Sequence, residues 1–166
     1  EMSASLVGSE MCIRDRPNIG FQLLFYPVTD ASFDTESYHE FAEGPWLTKK
    51  AMIWFWKQYA PDESKREEIY ACPLRATTEE LAGLPPALVI TDENDVLRDE
   101  GEAYAQKLSD AGVQVGAVRV NGTIHDFVML NALADTIPTK IAIELAVRVL
   151  QDVLASLEDN DNNGEN

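Results

Sequence analysis

From Phe21 onward, short apolar runs alternate with longer stretches in which apolar residues recur every three or four positions. Phe21 to Tyr26 (FQLLFY) is a compact apolar run ended by Pro27, which predicts a buried parallel strand stopping where proline cannot donate to the ladder. Residues 30–47, punctuated by Asp30, Ser32, Gly44 and Pro45, read as a loop or cap segment. Thr48 then caps a predicted helix in which Met52, Phe55, Trp56 and Tyr59 fall at i, i+3, i+4 and i+7, giving one apolar face for core packing. Pro61 ends it. A polar stretch passes Cys72-Pro73 and a short helical signal at Thr78 to Ala82 before a second strand, Ala87 to Thr91. Asp99, with Glu102 three residues on, predicts a capping box that opens the next helix, and Gly112 stops it. Val113 to Val120 is the third strand, with Gly122 in the turn after it. The last helix is expected from about Thr136, with Pro138 in its first turn, to about Leu157 on Ile141, Leu145, Val149 and Val153.

Strands alternating with helices predict an α/β fold, a parallel sheet with covering helices. In such sheets functional residues sit on loops beyond the carboxyl ends of the strands. Asp95 after the second strand and His125 after the third occupy that position. Residues 1–16 have no strand or helix period and join abruptly to the apolar run, so the domain is expected over 17–157. The acidic tail 158–166 is expected to be disordered.

Composition narrows the function. The chain has 166 residues, 45% hydrophobic, enough for one core and too few for two ordinary domains. Its formal net charge of −16 repels phosphate backbones and anionic lipid, which disfavours nucleic acid and membrane surfaces as partners. Two cysteines, Cys12 and Cys72, and two histidines, His39 and His125, are too few for a disulfide framework or a Cys/His zinc site, so no structural metal is expected. The absence of a bilayer-length apolar run and of a signal-peptide pattern in the residues given leads us to expect a soluble, cytoplasmic protein.

An imidazole can take a proton from a hydroxyl and return it to a leaving group if a carboxylate fixes its tautomer and stabilises the imidazolium. An acid followed by a histidine, each at a strand's carboxyl end, matches the order of the last two triad members in α/β-hydrolases. The order alone is weak, but the surrounding words are specific. LPPALVITDENDVLRDEGEAYAQKLSDAGV followed by VRVNGTIHDFVML, with QLLFYPVTD and SYHEFAEG upstream, resembles the C-terminal part of hormone-sensitive-lipase-like carboxylesterases over about residues 19–155. The resemblance implies an incomplete α/β-hydrolase sheet with Asp95 as triad acid and His125 as general base. It also implies a small or short-acyl ester as substrate and no cofactor. His39 falls in the cap-like loop and reads as a surface residue. SASLVGSEMCIRDR resembles translated sequencing adapter.

Three departures from the family pattern stand out. Val96 replaces a common proline and Asp126 a common glycine; a carboxylate at 126 raises the imidazole pKa if it points inward, and a solvent-facing one is expected. The third concerns the nucleophile. Serines stand at 3, 5, 9, 32, 37, 64, 109 and 156, none in a G-x-S-x-G setting, and no H-G-G-G oxyanion loop is present. Cys72, in a polar connection, reads as structural. The chain alone is therefore expected to be inactive, and the strand at Phe21 to Tyr26 to leave a bare edge that favours self-association. The alternative is a non-catalytic small-molecule-binding module of the same fold, as gibberellin receptors are; retention of His125 argues for the enzyme.

Overall fold

The computed structural model describes residues 19–163, so the adapter-like segment 1–16 lies outside the described residues. Three parallel strands, β1 (Gln22–Phe25), β2 (Ala87–Asn94) and β3 (Val115–Ile124), form a sheet in the order β1-β2-β3. Gln22 pairs with Ala87, and Ala87 with Val115. Both later strands outrun their apolar stretches: the ladder continues through Thr91 opposite Arg119 and Asp92 opposite Val120, because backbone pairing does not require apolar side chains. Among the described residues β1 and β3 are both edges, where the sequence singled out only the first.

Among the described residues, five α-helices pack around the sheet. The region read as loop, 30–47, contains α1 (Glu36–Glu40), a short turn of helix whose cap Thr35 accepts a bond from the Tyr38 N–H. α2 (Lys49–Tyr59) starts at Thr48, as expected, and buries Met52 and Trp56. A capping box between Thr77 and Glu80 opens α3 (Thr78–Leu81). α4 (Arg98–Asp110) ends before Gly112, whose φ of 80° suits a residue without Cβ. Its start corrects the expectation: Leu97 occupies the cap position, Asp99 lies inside the first turn, and the expected box with Glu102 is not made. Tertiary partners take both acids instead. Asp99 Oδ2 accepts from the Ser37 N–H at 2.6 Å, and Glu102 Oε1 accepts from the Thr91 hydroxyl at 3.0 Å.

α5 (Ile137–Asn163) runs past the expected end at Leu157, so residues 158–163 of the expected tail continue it. Once a helix is nucleated, each added residue gains a backbone bond at little further cost. Its packing stripe also differs. Ala142 and Ala146 are buried while Ile141 is 57% exposed, because small side chains let the helix approach the sheet closely.

The faces of β2 alternate. Val89 packs with Leu24, Tyr104, Ala105 and Leu108 beneath α4. Leu88 and Ile90 pack with Phe127, Ala142 and Ala146 beneath α5. A third cluster, with Val28, Tyr38, Met52, Trp56, Cys72, Val96 and Leu97, fills the space between α1, α2 and the carboxyl end of β2. Among the described residues, no helix is long and apolar enough to cross a membrane.

Candidate active site

The sheet brings Asp95 and His125 together through a register shift. Beyond Asp92 the β2–β3 ladder slips, so that Asn94 pairs with Ile124, and the Asn94 amide donates to the Thr123 carbonyl at 3.0 Å. The next residue on each chain segment is Asp95 or His125. Both are buried, 1% and 8% exposed, and His125 Nδ1 lies 2.8 Å from Asp95 Oδ2. A carboxylate can only accept, so this bond puts the proton on Nδ1 and leaves the Nε2 lone pair available. The other Asp95 oxygen, Oδ1, accepts the Leu97 N–H at 3.0 Å. The acid is thus tied on one side to the start of α4 and on the other to the imidazole.

The site is unusually acidic. Burial pulls the His125 pKa down, but the hydrogen bond and charge of Asp95, reinforced by the charge of Asp126, outweigh it and leave the imidazole above its ordinary value. Asp126 therefore does not simply face solvent, as the sequence suggested: Oδ1 lies 3.5 Å from His125 Nε2, and Oδ2 accepts from the Trp46 indole N–H at 3.2 Å. Its φ of 65° explains the orientation, since a left-handed backbone turns the side chain back over the ring, and this is a conformation in which glycine is at ease. Tyr26, at φ 38°, sets its ring edge-on to the imidazole at a centroid distance of 4.7 Å. Burial, then Asp126, Asp92 and Asp95, push its phenol pKa up.

Sequence reasoning missed Tyr26, Trp46 and Asp92. Asp92 is fully buried, shares the β2 face of Leu88 and Ile90, and offers an oxygen in a cluster with Asp95 and His125 whose ligand atoms lie within 4.8 Å of one another. The remaining candidates lie apart from the Asp95–His125 pair. His39 pairs with Asp34 at the surface. Cys72 is buried, and its thiol is pushed up to about 12, chiefly by that burial, so it is a poor nucleophile. One concavity of about 410 Å³ runs along β3 between Val115 and Arg119 beside Glu102 of α4, and another of about 540 Å³ lies at the amino ends of the strands beside Phe21 and Val153. Neither is lined by Asp95 or His125.

Comparison with known proteins agrees with the fold. The sequence profile of the alpha/beta hydrolase fold matches residues 3–129, beginning inside the adapter-like stretch. The crystal structure of a thermostable esterase from Pseudomonas putida superposes with a TM-score of 0.81 at 54% identity, over 87% of this chain and 46% of that one. A fungal esterase from Rhizomucor miehei superposes with a TM-score of 0.85 at 46% identity, over 92% of this chain and 48% of that one. A protein of Acanthamoeba polyphaga mimivirus, named as an alpha/beta hydrolase, is 46% identical over 137 residues, 82% of this chain and 40% of its own length. The chain thus spans less than half the length of these relatives.

Proposed function

The chain belongs to the α/β-hydrolase fold family, in its hormone-sensitive-lipase-like branch, and on that premise we propose that it supplies the acid and base of a serine carboxylesterase acting on small or short-acyl esters. The observation that carries the reading is the 2.8 Å bond from His125 Nδ1 to Asp95, made at the carboxyl ends of adjacent parallel strands. In this mechanism His125 Nε2 takes the proton of a serine hydroxyl as that oxygen attacks the ester carbonyl, then gives it to the departing alkoxide. The same nitrogen next removes a proton from the water that attacks the acyl-enzyme, and returns it to the serine oxygen as the bond to the acyl group breaks and the acid leaves. Asp95 holds the ring and balances the imidazolium charge in both halves.

Neither the nucleophile nor its oxyanion donors are found in these 166 residues, where no serine stands in a G-x-S-x-G setting. They would then lie in sequence outside the residues given, and this chain by itself is expected not to turn over. The esterase reading is tested by p-nitrophenyl butyrate hydrolysis with this chain and with a form extended by the upstream gene sequence. Turnover by the extended form only, lost by at least about a thousandfold on His125→Ala, is the expected result. If neither form turns over, the esterase reading fails and the non-catalytic binding module replaces it.

A further inference from the structure

Asp92 poses a problem that the pair itself does not solve. It is 0% exposed, yet neither carboxylate oxygen meets an N–H or O–H donor among the described residues. Alternation along β2 turns it to the face of Leu88 and Ile90, where α5 presents Ala142 and Ala146. The charged and titratable groups around it are Asp95 from its own strand end, His125 and Asp126 from the loop after β3, and Tyr26 from the end of β1. On α5, Lys140 is turned to Asp135, and on the opposite face Glu100 accepts the Thr29 and Asp30 N–H groups. An anion at 92 would therefore be desolvated, unpaired and beside a second carboxylate, which is the most costly arrangement available to it.

A proton removes the conflict. It takes away the charge and turns one of the two orphaned oxygens into a donor, for which Asp95 is an adjacent acceptor. Asp95 uses one oxygen for Leu97 and one for His125, and a carboxylate has about four lone-pair directions, so a third donor fits. We propose that Asp92 is held as a neutral carboxylic acid and acts as a positioning residue, donating a hydrogen bond to Asp95 from the core side while His125 donates from the other. Burial, then the charge and hydrogen bond of Asp95, then Asp126, push its carboxyl up to about 10, in keeping with this geometry. The inference rests on Asp95 and His125 being the working acid and base. The neutral acid would temper the basicity of Asp95, so that Asp95 orients the imidazole without drawing its proton across.

NMR titration of the full chain reads this directly, because there are only two histidines to assign. Asp92→Asn keeps a donor of the same shape and is expected to leave the His125 midpoint within about 0.3 unit of wild type, whereas loss of a real charge at this separation would lower it by more than about one unit. Asp92→Val removes the donor and is expected to raise the midpoint by about 0.5 to 1 unit, since Asp95 is then less satisfied. The carbon resonance of the Asp92 carboxyl in the unmutated chain provides a reading independent of variant folding: the protonated position at neutral pH is expected. An ionised position, a large fall in Asp92→Asn, or no change in Asp92→Val overturns the proposal. So does zinc binding at the His125 resonances that Asp92→Asn abolishes, which would make the cluster a metal site. Failure of ester hydrolysis with these titrations as expected would sink the esterase reading and leave the neutral acid standing.

Discussion

The two faces of the sheet are covered by helices that both present apolar residues at helical spacing, yet bury them to different extents. α4 buries Glu100, Gly101, Tyr104, Ala105 and Leu108, and its polar residues are tied down as well: Asp99 to Ser37, Glu102 to Thr91, and Lys107 to the Leu74 carbonyl. α5 buries Ala142 and Ala146 against Leu88 and Ile90, but leaves Ile137, Ile141, Ile143, Val147 and Leu154 between 41% and 74% exposed. An apolar stripe thus identifies a helix that packs, yet says nothing about how much of the packing surface its own neighbours provide. Among the described residues, the α4 face is covered, whereas the outer side of α5 is exposed.

The comparison predicts a graded response. The largest effect is expected for Leu108→Ala, at 0% exposure in the α4 core, which should lower the free energy of urea unfolding by about 2–5 kcal/mol. Gly101→Val should follow: a Cβ there would stand 3.1 Å from Thr91 Cγ2 and 3.4 Å from Pro27 Cδ, so the helix must lift from the strand, at about 1–3 kcal/mol in the same assay.

A third test uses pH. Burial pushes the Glu100 carboxyl up to about 8, while the Thr29 and Asp30 N–H groups oppose the shift. With the folded value above the unfolded one, its contribution is fully present below the unfolded pKa and lost as pH rises toward the folded one. The urea midpoint should therefore fall between about pH 5 and about pH 8, and Glu100→Gln should flatten that fall; an unchanged slope would remove Glu100 as its cause. The smallest effect is expected for Ile141→Ser on the outer side of α5, within about 0.5 kcal/mol by urea unfolding, and a larger loss would mean that this side is covered in solution.

Much of this was readable beforehand, for identifiable reasons. The strands announced themselves as apolar runs bounded by proline, glycine and polar residues, and the helix at Thr48 as a cap followed by a periodic face. Asp95 and His125 could be named because topology sends strand ends to functional loops and the flanking words match a family. The start of α4 was misread because a capping box is a local signal, and Ser37, Thr91 and Arg119 competed for the same carboxylates from distant points in the chain. Asp92 was within reach: it continues the Leu88, Ile90 alternation onto a buried face, and a charged residue in that frame is a sign in itself. Tyr26 and Trp46 gave no such sign, since their approach to His125 and Asp126 depends on backbone turns with positive φ.

The strand pairing also orders the events of folding. Gln22 can find Ala87 only after the chain has closed a loop containing α1, α2 and α3, whereas Ala87 finds Val115 across α4 alone. Loop closure is cheaper over the shorter separation, and low contact order speeds assembly. The β2-α4-β3 unit should therefore form as the early nucleus, and it carries Asp95 at one strand end and the approach to His125 at the other. Asp95 and His125 would meet before the first strand docks, so their pairing is inherited from the most local piece of the topology.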